Sequence, residues 1–299
     1  MKSFSRYIYY IVVALAMVTA QACSNSDLGD VVADNNTVNV SFSTIFDTNA
    51  VTRVAGGDSV DKLFVELYSN GVKVGERKGF TVSNHTIEDF TLPLVSGESY
   101  TAVFWAQDTD CQAYNIDDLS NITIDYAENI TLANIDSFDA FSGRISFTVT
   151  PQTLNQSVTL TRPFALLIAG SSNYNPAVTN QSASLTIDKV ATAYNAISGT
   201  ISGSAAQTFN YNIDGSAVPN KSGFTMVGAA YILPVTNTRV TVGVSTTATN
   251  TKSVTAFIDN IEPNNRYNIL GTDLISYQFQ CYNKIRAIIA DSSNYFYIQ

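Results

Sequence analysis

Few side chains in this chain are of the types that carry out reactions, and their spacing decides little. Carboxylates are paired at Asp108 with Asp110 and at Asp117 with Asp118. Two acids that close can hold Ca²⁺ or share the roles of a glycosidase. Both pairs stand among turn residues, where an aspartate commonly caps a backbone N–H or faces water, so neither is assigned a metal or a catalytic role. The one histidine, His85, follows Ser83 and Asn84. A histidine-based metal site there would need carboxylates drawn from elsewhere, and the residue reads as an exposed turn histidine. No Gly-x-Ser-x-Gly, no phosphate-cradling glycine loop and no His-Glu pair at helical spacing occurs. The chain therefore reads as non-enzymatic, with no cofactor implied.

Two further residue types deserve weighing. Arg53 is the only basic residue between Arg6 and Lys62, and it lies in the glycine-containing stretch DTNAVTRVAGGDS (47–59). Such a loop suits an arginine-specific protease, and an exposed arginine without a role suits it equally. Three cysteines are too few for a disulfide scaffold. Cys111 and Cys281 lie far apart and read as two separate thiols. Cys23 has a different setting, described below.

The elements that must position these residues are strands. Charged residues make up only 14% and aromatics 11%, with Thr, Ser, Asn and Val abundant, a composition of β-structure with many turns. The segment SYTAVFWAQD (99–108) is the centre of this pattern. Tyr100, Ala102, Phe104 and Ala106 share one face, and Thr101, Val103, Trp105 and Gln107 the other. A central strand results, fully covered on one side and partly on the other, with Trp105 as a core aromatic rather than a ligand platform. Val38, Val40 and Phe42 start a first strand over 38–45. Leu63, Val65 and Leu67 lead into the hairpin signal Ser69-Asn70-Gly71. Segments 87–94 and 99–108 are expected to pair, and 134–141 to form a short helical turn.

Residues 151–155, PQTLN, mark a boundary. Domains are expected over 37–152 and 153–299, the second built from the same short alternating strands. Regular strands, turn punctuation and no long helical period predict an all-β chain of two tandem β-sandwiches. The closing stretch 281–299 is atypical, pairing a short helix-like piece (284–290) with an aromatic strand (294–298).

The N-terminus supplies an address. Lys2 and Arg6 precede an apolar run over 7–20, which has the length of a signal peptide rather than of a membrane span. Ala20-Gln21-Ala22-Cys23 follows and resembles a bacterial lipobox. Residues 1–22 then form a lipoprotein signal peptide, and Cys23 takes the acyl chains that anchor the protein. The polar, acidic segment 23–36 reads as a flexible tether. The net charge is −9, and loss of the two basic residues Lys2 and Arg6 makes it −11. With no basic run, nucleic acid is excluded as a partner.

Together the Cys23 lipobox and tether, Thr52-Arg53-Val54, Phe104-Trp105-Ala106-Gln107, Thr161-Arg162-Pro163-Phe164-Ala165 and the 265–271 segment NRYNILG carry a resemblance. The chain resembles the fimbrillin-like lipoproteins of the Bacteroidales, relatives of type V pilus subunits, and an uncharacterised subgroup of them. The resemblance implies two transthyretin-like β-sandwich domains and export as an outer-membrane lipoprotein, exposed at the cell surface or built into a fimbrium. It further implies cleavage between Arg53 and Val54, loss of strand 38–45, and strand exchange with other pilus subunits or with further copies of the chain. A monomeric surface lipoprotein that binds glycans or host molecules is the alternative. The added stretch 281–299 departs from the familiar pattern, which closes soon after a strand at 274–280.

Overall fold

The computed structural model describes residues 36–47, 58–126, 132, 135–152, 155–171, 181–213, 218–219, 225–245, 251–271, 285–289 and 295–298. Alternating apolar residues build the first sandwich. Its strands are β1 (Thr37–Phe46), β2 (Lys62–Ser69), β3 (Val72–Thr81), β4 (Phe90–Val95) and β5 (Ser99–Gln107). Two short strands follow, β6 (Tyr114–Asn115) and β7 (Ile122–Ile124), then β8 (Ala140–Thr148) and β9 (Asn155–Leu160). One sheet has the order β4-β1-β9 and the facing sheet β3-β2-β5-β8. Between them lie Val40, Phe42, Leu63, Val65, Leu92, Leu94, Phe104 and Phe141, all buried. The 3-10 turn Ile135–Phe138 falls within the segment expected to turn helically.

The second half repeats the design on a larger scale. Its strands are β10 (Ala165–Ser171), β11 (Ser182–Val190), β12 (Ala193–Asn195), β13 (Thr200–Ser202), β14 (Ala205–Asn212) and β15 (Val218–Pro219). They continue as β16 (Thr225–Ile232), β17 (Val235–Ser245), β18 (Thr251–Ile261), β19 (Arg266–Gly271), β20 (Ile285–Ile289) and β21 (Tyr295–Ile298). A sheet ordered β15-β16-β10-β19-β20-β21 packs with one ordered β14-β11-β17-β18. The chain is all-β, with two sandwiches in tandem. Residues 155–160, beyond the segment that marks the boundary in the sequence, pair with β1.

Strand β5 serves both cores. Tyr100, Ala102, Phe104 and Ala106 pack into the first sandwich, as the alternation requires. Val103 and Trp105 face the other way, into the core of the second half. There a small sheet, β13-β12-β7-β6, brings Tyr114 and Tyr194 against Trp105. Trp105 is fully buried, and its Nε1 donates to Gln107 Oε1 at 2.8 Å. It is a core aromatic, as expected.

Two expectations need correction. Strands β4 and β5 do not pair; they lie in opposite sheets. The turn between them contains Gly97 at φ 88°, and it carries the chain across the sandwich instead of folding it back in plane. Phe90, Leu92 and Leu94 then point inward from the opposite side. Within the piece 284–290 expected to be helix-like, Ile285–Ile289 form strand β20, paired antiparallel to β19 from Gly271–Ile285 to Tyr267–Ile289. Its three isoleucines lose side-chain freedom in a helix and suit a ladder. The aromatic strand expected at the C-terminus is β21.

The β2–β3 hairpin encloses a carboxylate. Asn70 and Gly71 adopt φ 51° and 77°, the left-handed values of a tight hairpin turn. A bulge between Val65 and Leu67 follows, and Glu66 sits in it with its side chain 1% exposed. Lys73 Nζ donates to it at 2.6 Å and Arg77 Nε at 2.8 Å, and the Tyr68 hydroxyl donates as well. Burial alone would raise the Glu66 pKa, but the donors Lys73, Tyr68 and Arg77 outweigh it and hold the carboxyl below the usual glutamate range. A depressed acid stabilises the fold above its unfolded pKa and loses that contribution as pH falls through the folded value. Glu66→Gln is expected to cost about 1.5–3 kcal/mol near neutral pH and to flatten the acid limb of stability below the ordinary glutamate range. Urea unfolding followed by Trp105 fluorescence at several pH values measures both effects.

Candidate functional site

The first strand is the element around which the candidate site is built. β1 is the middle strand of its sheet, between β4 and β9. It runs parallel to β9, from Ser41–Asn155 to Phe46–Leu160. Its sequence TVNVSFSTIF alternates, and Val40 and Phe42 are fully buried while Phe46 is 7% exposed. Phe42 lies at the centre of an aromatic cluster. Its ring stacks on Phe90 at 5.4 Å and meets Phe104 at 6.0 Å and Phe147 at 5.8 Å. Phe46 meets Phe141 edge-on at 5.1 Å.

Beyond Phe46, Asp47 closes the strand. Its N–H donates to the Leu160 carbonyl at 2.8 Å, and Asn264 Nδ2 donates to its carboxylate at 3.2 Å. Nearby, Arg162 grips the buried Asp139. Nε reaches both carboxylate oxygens, at 2.8 and 2.9 Å, and an Nη donates at 2.8 Å. The guanidinium also lies 4.5 Å from the centre of the Phe141 ring. Burial alone would lower the Arg162 pKa, but the bonded Asp139 outweighs it and, with Asp47 adding to the field, holds the guanidinium charged above its ordinary range. Beside the pair, burial pushes the Asp136 carboxyl up, and the negative Asp139 and Asp58 push it further. The guanidinium thus offsets Asp139 and lies in the field of Asp47 at the end of β1.

His85 occupies a turn, as expected, with φ 57°. It is not freely exposed. Its ring folds back toward Phe46 at 6.0 Å, and Nε2 lies 3.7 Å from Asp58 Oδ1. The paired aspartates do local work. Asp108 accepts the N–H of Asp110 at 2.9 Å, and Asp118 accepts that of Ser120 at 2.8 Å. Among the described residues, no three His, Cys, Asp or Glu side chains converge to hold a metal ion. Cys111 is buried in the larger core. Cys23, Arg53, Val54 and Cys281 lie outside the described residues. Neither the Arg162–Asp139 pair nor the parallel neighbour of β1 is predicted by the sequence, since each joins residues that spacing does not connect.

Comparison with known proteins places this fold. Residues 32–272 match the model of a family of unknown function, DUF6562. No curated protein matches the sequence. Among solved structures, the chain is similar to a putative cell adhesion protein from Bacteroides uniformis, at 12% identity and a TM-score of 0.54, over 86% of this chain and 98% of that one. It is similar to putative polysaccharide binding proteins from Bacteroides thetaiotaomicron at 11% identity and a TM-score of 0.51, covering 87% and 98%. It is also similar to a fimbrial assembly protein from Parabacteroides distasonis at 11% identity and a TM-score of 0.50, covering 88% and 99%.

Two substitutions test how the site is held. Phe42→Ala removes the centre of the aromatic cluster and is expected to cost about 3–5 kcal/mol. Arg162→Met leaves Asp139 buried without its counter-charge and is expected to cost a similar 3–5 kcal/mol. Adding Asp139→Leu to Arg162→Met should recover part of that loss, because the stranded charge goes with it. Urea denaturation of the three variants beside the parent checks both statements.

Proposed function

We propose a function from the fold and the sequence together: the chain belongs to the family of unknown function DUF6562, and it acts as a non-enzymatic cell-surface protein, a fimbrillin-like structural or accessory subunit of a surface fibre. It is made as a lipoprotein anchored to the outer membrane through Cys23. An arginine-specific protease cuts between Arg53 and Val54, β1 is given up, and an extended strand of a neighbouring subunit takes its place.

The observation that carries this reading is the position of β1. It is the central strand of a three-stranded sheet, buries Val40, Phe42 and Phe46, and leads directly into the segment that contains Arg53. Taking away an edge strand would expose one ladder. Taking away this one leaves both β4 and β9 with unpaired N–H and C=O groups, facing a cleft lined by Phe90, Phe104, Phe141 and Phe147. Groups of that kind are costly when unsatisfied, on the order of 1–3 kcal/mol each when buried, and an added strand satisfies them. The adhesion and fimbrial-assembly descriptions of the similar structures are consistent with such a role.

Glycan binding is the alternative, and one similar structure is described in those terms. Among the described residues, the exposed large apolar side chains are Ile45, Val72, Val74, Val95, Ile201 and Phe257. They include one aromatic ring, where stacking on sugars calls for a platform of several.

The test is the intact mass and N-terminal sequence of the protein recovered from native outer membranes and from shed fibres. A fibre-associated chain that starts at Val54 is the expected result. A chain that starts at acylated Cys23 in every fraction, or a cut form that stays monomeric, overturns strand exchange.

A further inference from the structure

We infer that β1 stays bound after the backbone beyond it is cut, because its Phe46–Asp47 end is latched, and that opening this latch governs how fast an incoming strand displaces it. The inference rests on strand exchange at this groove and concerns what controls it. At the start of β1, Thr37 and Asn39 are exposed and Val38 is half-buried. At the other end, Phe46 is buried between Phe141 and the His85 ring. Asp47 donates its N–H to the Leu160 carbonyl at the end of β9, and its carboxylate accepts from Asn264.

Asn264 belongs to the turn before β19. It takes φ 57°, and its own N–H donates to the Phe164 carbonyl at 2.8 Å. The same Asp47 lies in the field of Arg162, whose guanidinium stays charged between Asp139 and Asp47. The latch therefore ties β1 to residues of both halves of the chain. Every one of these contacts involves residues before Arg53 on the β1 side. Scission at Arg53–Val54 leaves them all in place. Cleavage removes the covalent tie, and the arriving strand supplies the force that opens the latch. The partner is an extended segment of a neighbouring subunit. It would drive Phe42 and Phe46 from their sites.

The experiment uses the mature chain with a site for a sequence-specific protease built around Arg53–Val54. After cutting, the protein is passed through gel filtration in native buffer and then mixed with a fluorescent peptide of residues 37–47. In the parent, the N-terminal fragment is expected to co-elute with the body and the labelled peptide to enter slowly. Asp47→Ala and Asn264→Gly (glycine keeps the positive φ) each remove the carboxylate–amide bond. Each is expected to speed peptide entry about tenfold, as loss of a hydrogen bond to a charged group implies. Melting temperatures of the uncut variants verify that they fold. A parent fragment that separates unaided overturns the inference. Equal entry rates in the parent and both variants overturn the latch while leaving strand exchange standing. A labelled peptide that enters no form overturns strand exchange, and the latch with it.

Discussion

Strand β5 has to satisfy two cores at once, and the rest of the molecule follows from that constraint. Its even-numbered residues line the first sandwich and its odd-numbered ones, Val103 and Trp105, line the core beyond it. A strand buried on both faces tolerates no slip in register, since a one-residue shift would exchange Trp105 for Phe104. With β5 fixed, β2 and β8 are fixed beside it. The face that β1, β4 and β9 must cover is then determined. The small sheet from β6 to β13 exists to close the other side, over Trp105.

Period-two alternation was legible in the sequence wherever one strand face is buried. The first strand, the Ser69-Asn70-Gly71 hairpin and the two faces of β5 all follow from it, and so does the all-β architecture. Adjacency in sequence misled for β4 and β5, because a short turn can fold a chain back in its own sheet or pass it to the opposite one, and local residues do not distinguish the two. The 284–290 piece misled because a brief apolar run fits either period, and the partner that decides, β19, lies elsewhere. Asp139 and Arg162 could not be matched from spacing. The bridge between Ser142 and Thr161 brings their neighbourhoods together, with N···O distances of 2.8 and 2.9 Å.

The candidate site shows the same division. Val40, Phe42 and Phe46 announce a buried strand by themselves, and Arg53 stands out as a lone basic residue after it. What gives β1 its consequence is its place between β4 and β9, which is a property of topology. Buried charge also shapes the site from behind. Asp139 is tolerated there because Arg162 supplies one rigid, charged fork. A lysine would offer a single point of charge and no planar contact with Phe141.

The parallel pairing of β1 with β9 also bears on how the chain reaches its native state. Ser41 finds Asn155 across most of the first half of the sequence, whereas β2 with β3 and β17 with β18 close as local hairpins. Contacts of long sequence separation form late, because the entropy of closing the intervening loop must be lost first. During synthesis, β1 emerges well before its parallel partner β9. The strand whose surrender is proposed above is thus held to β9 by a pairing of long sequence separation, and a chain without it is relieved of that loop-closure entropy.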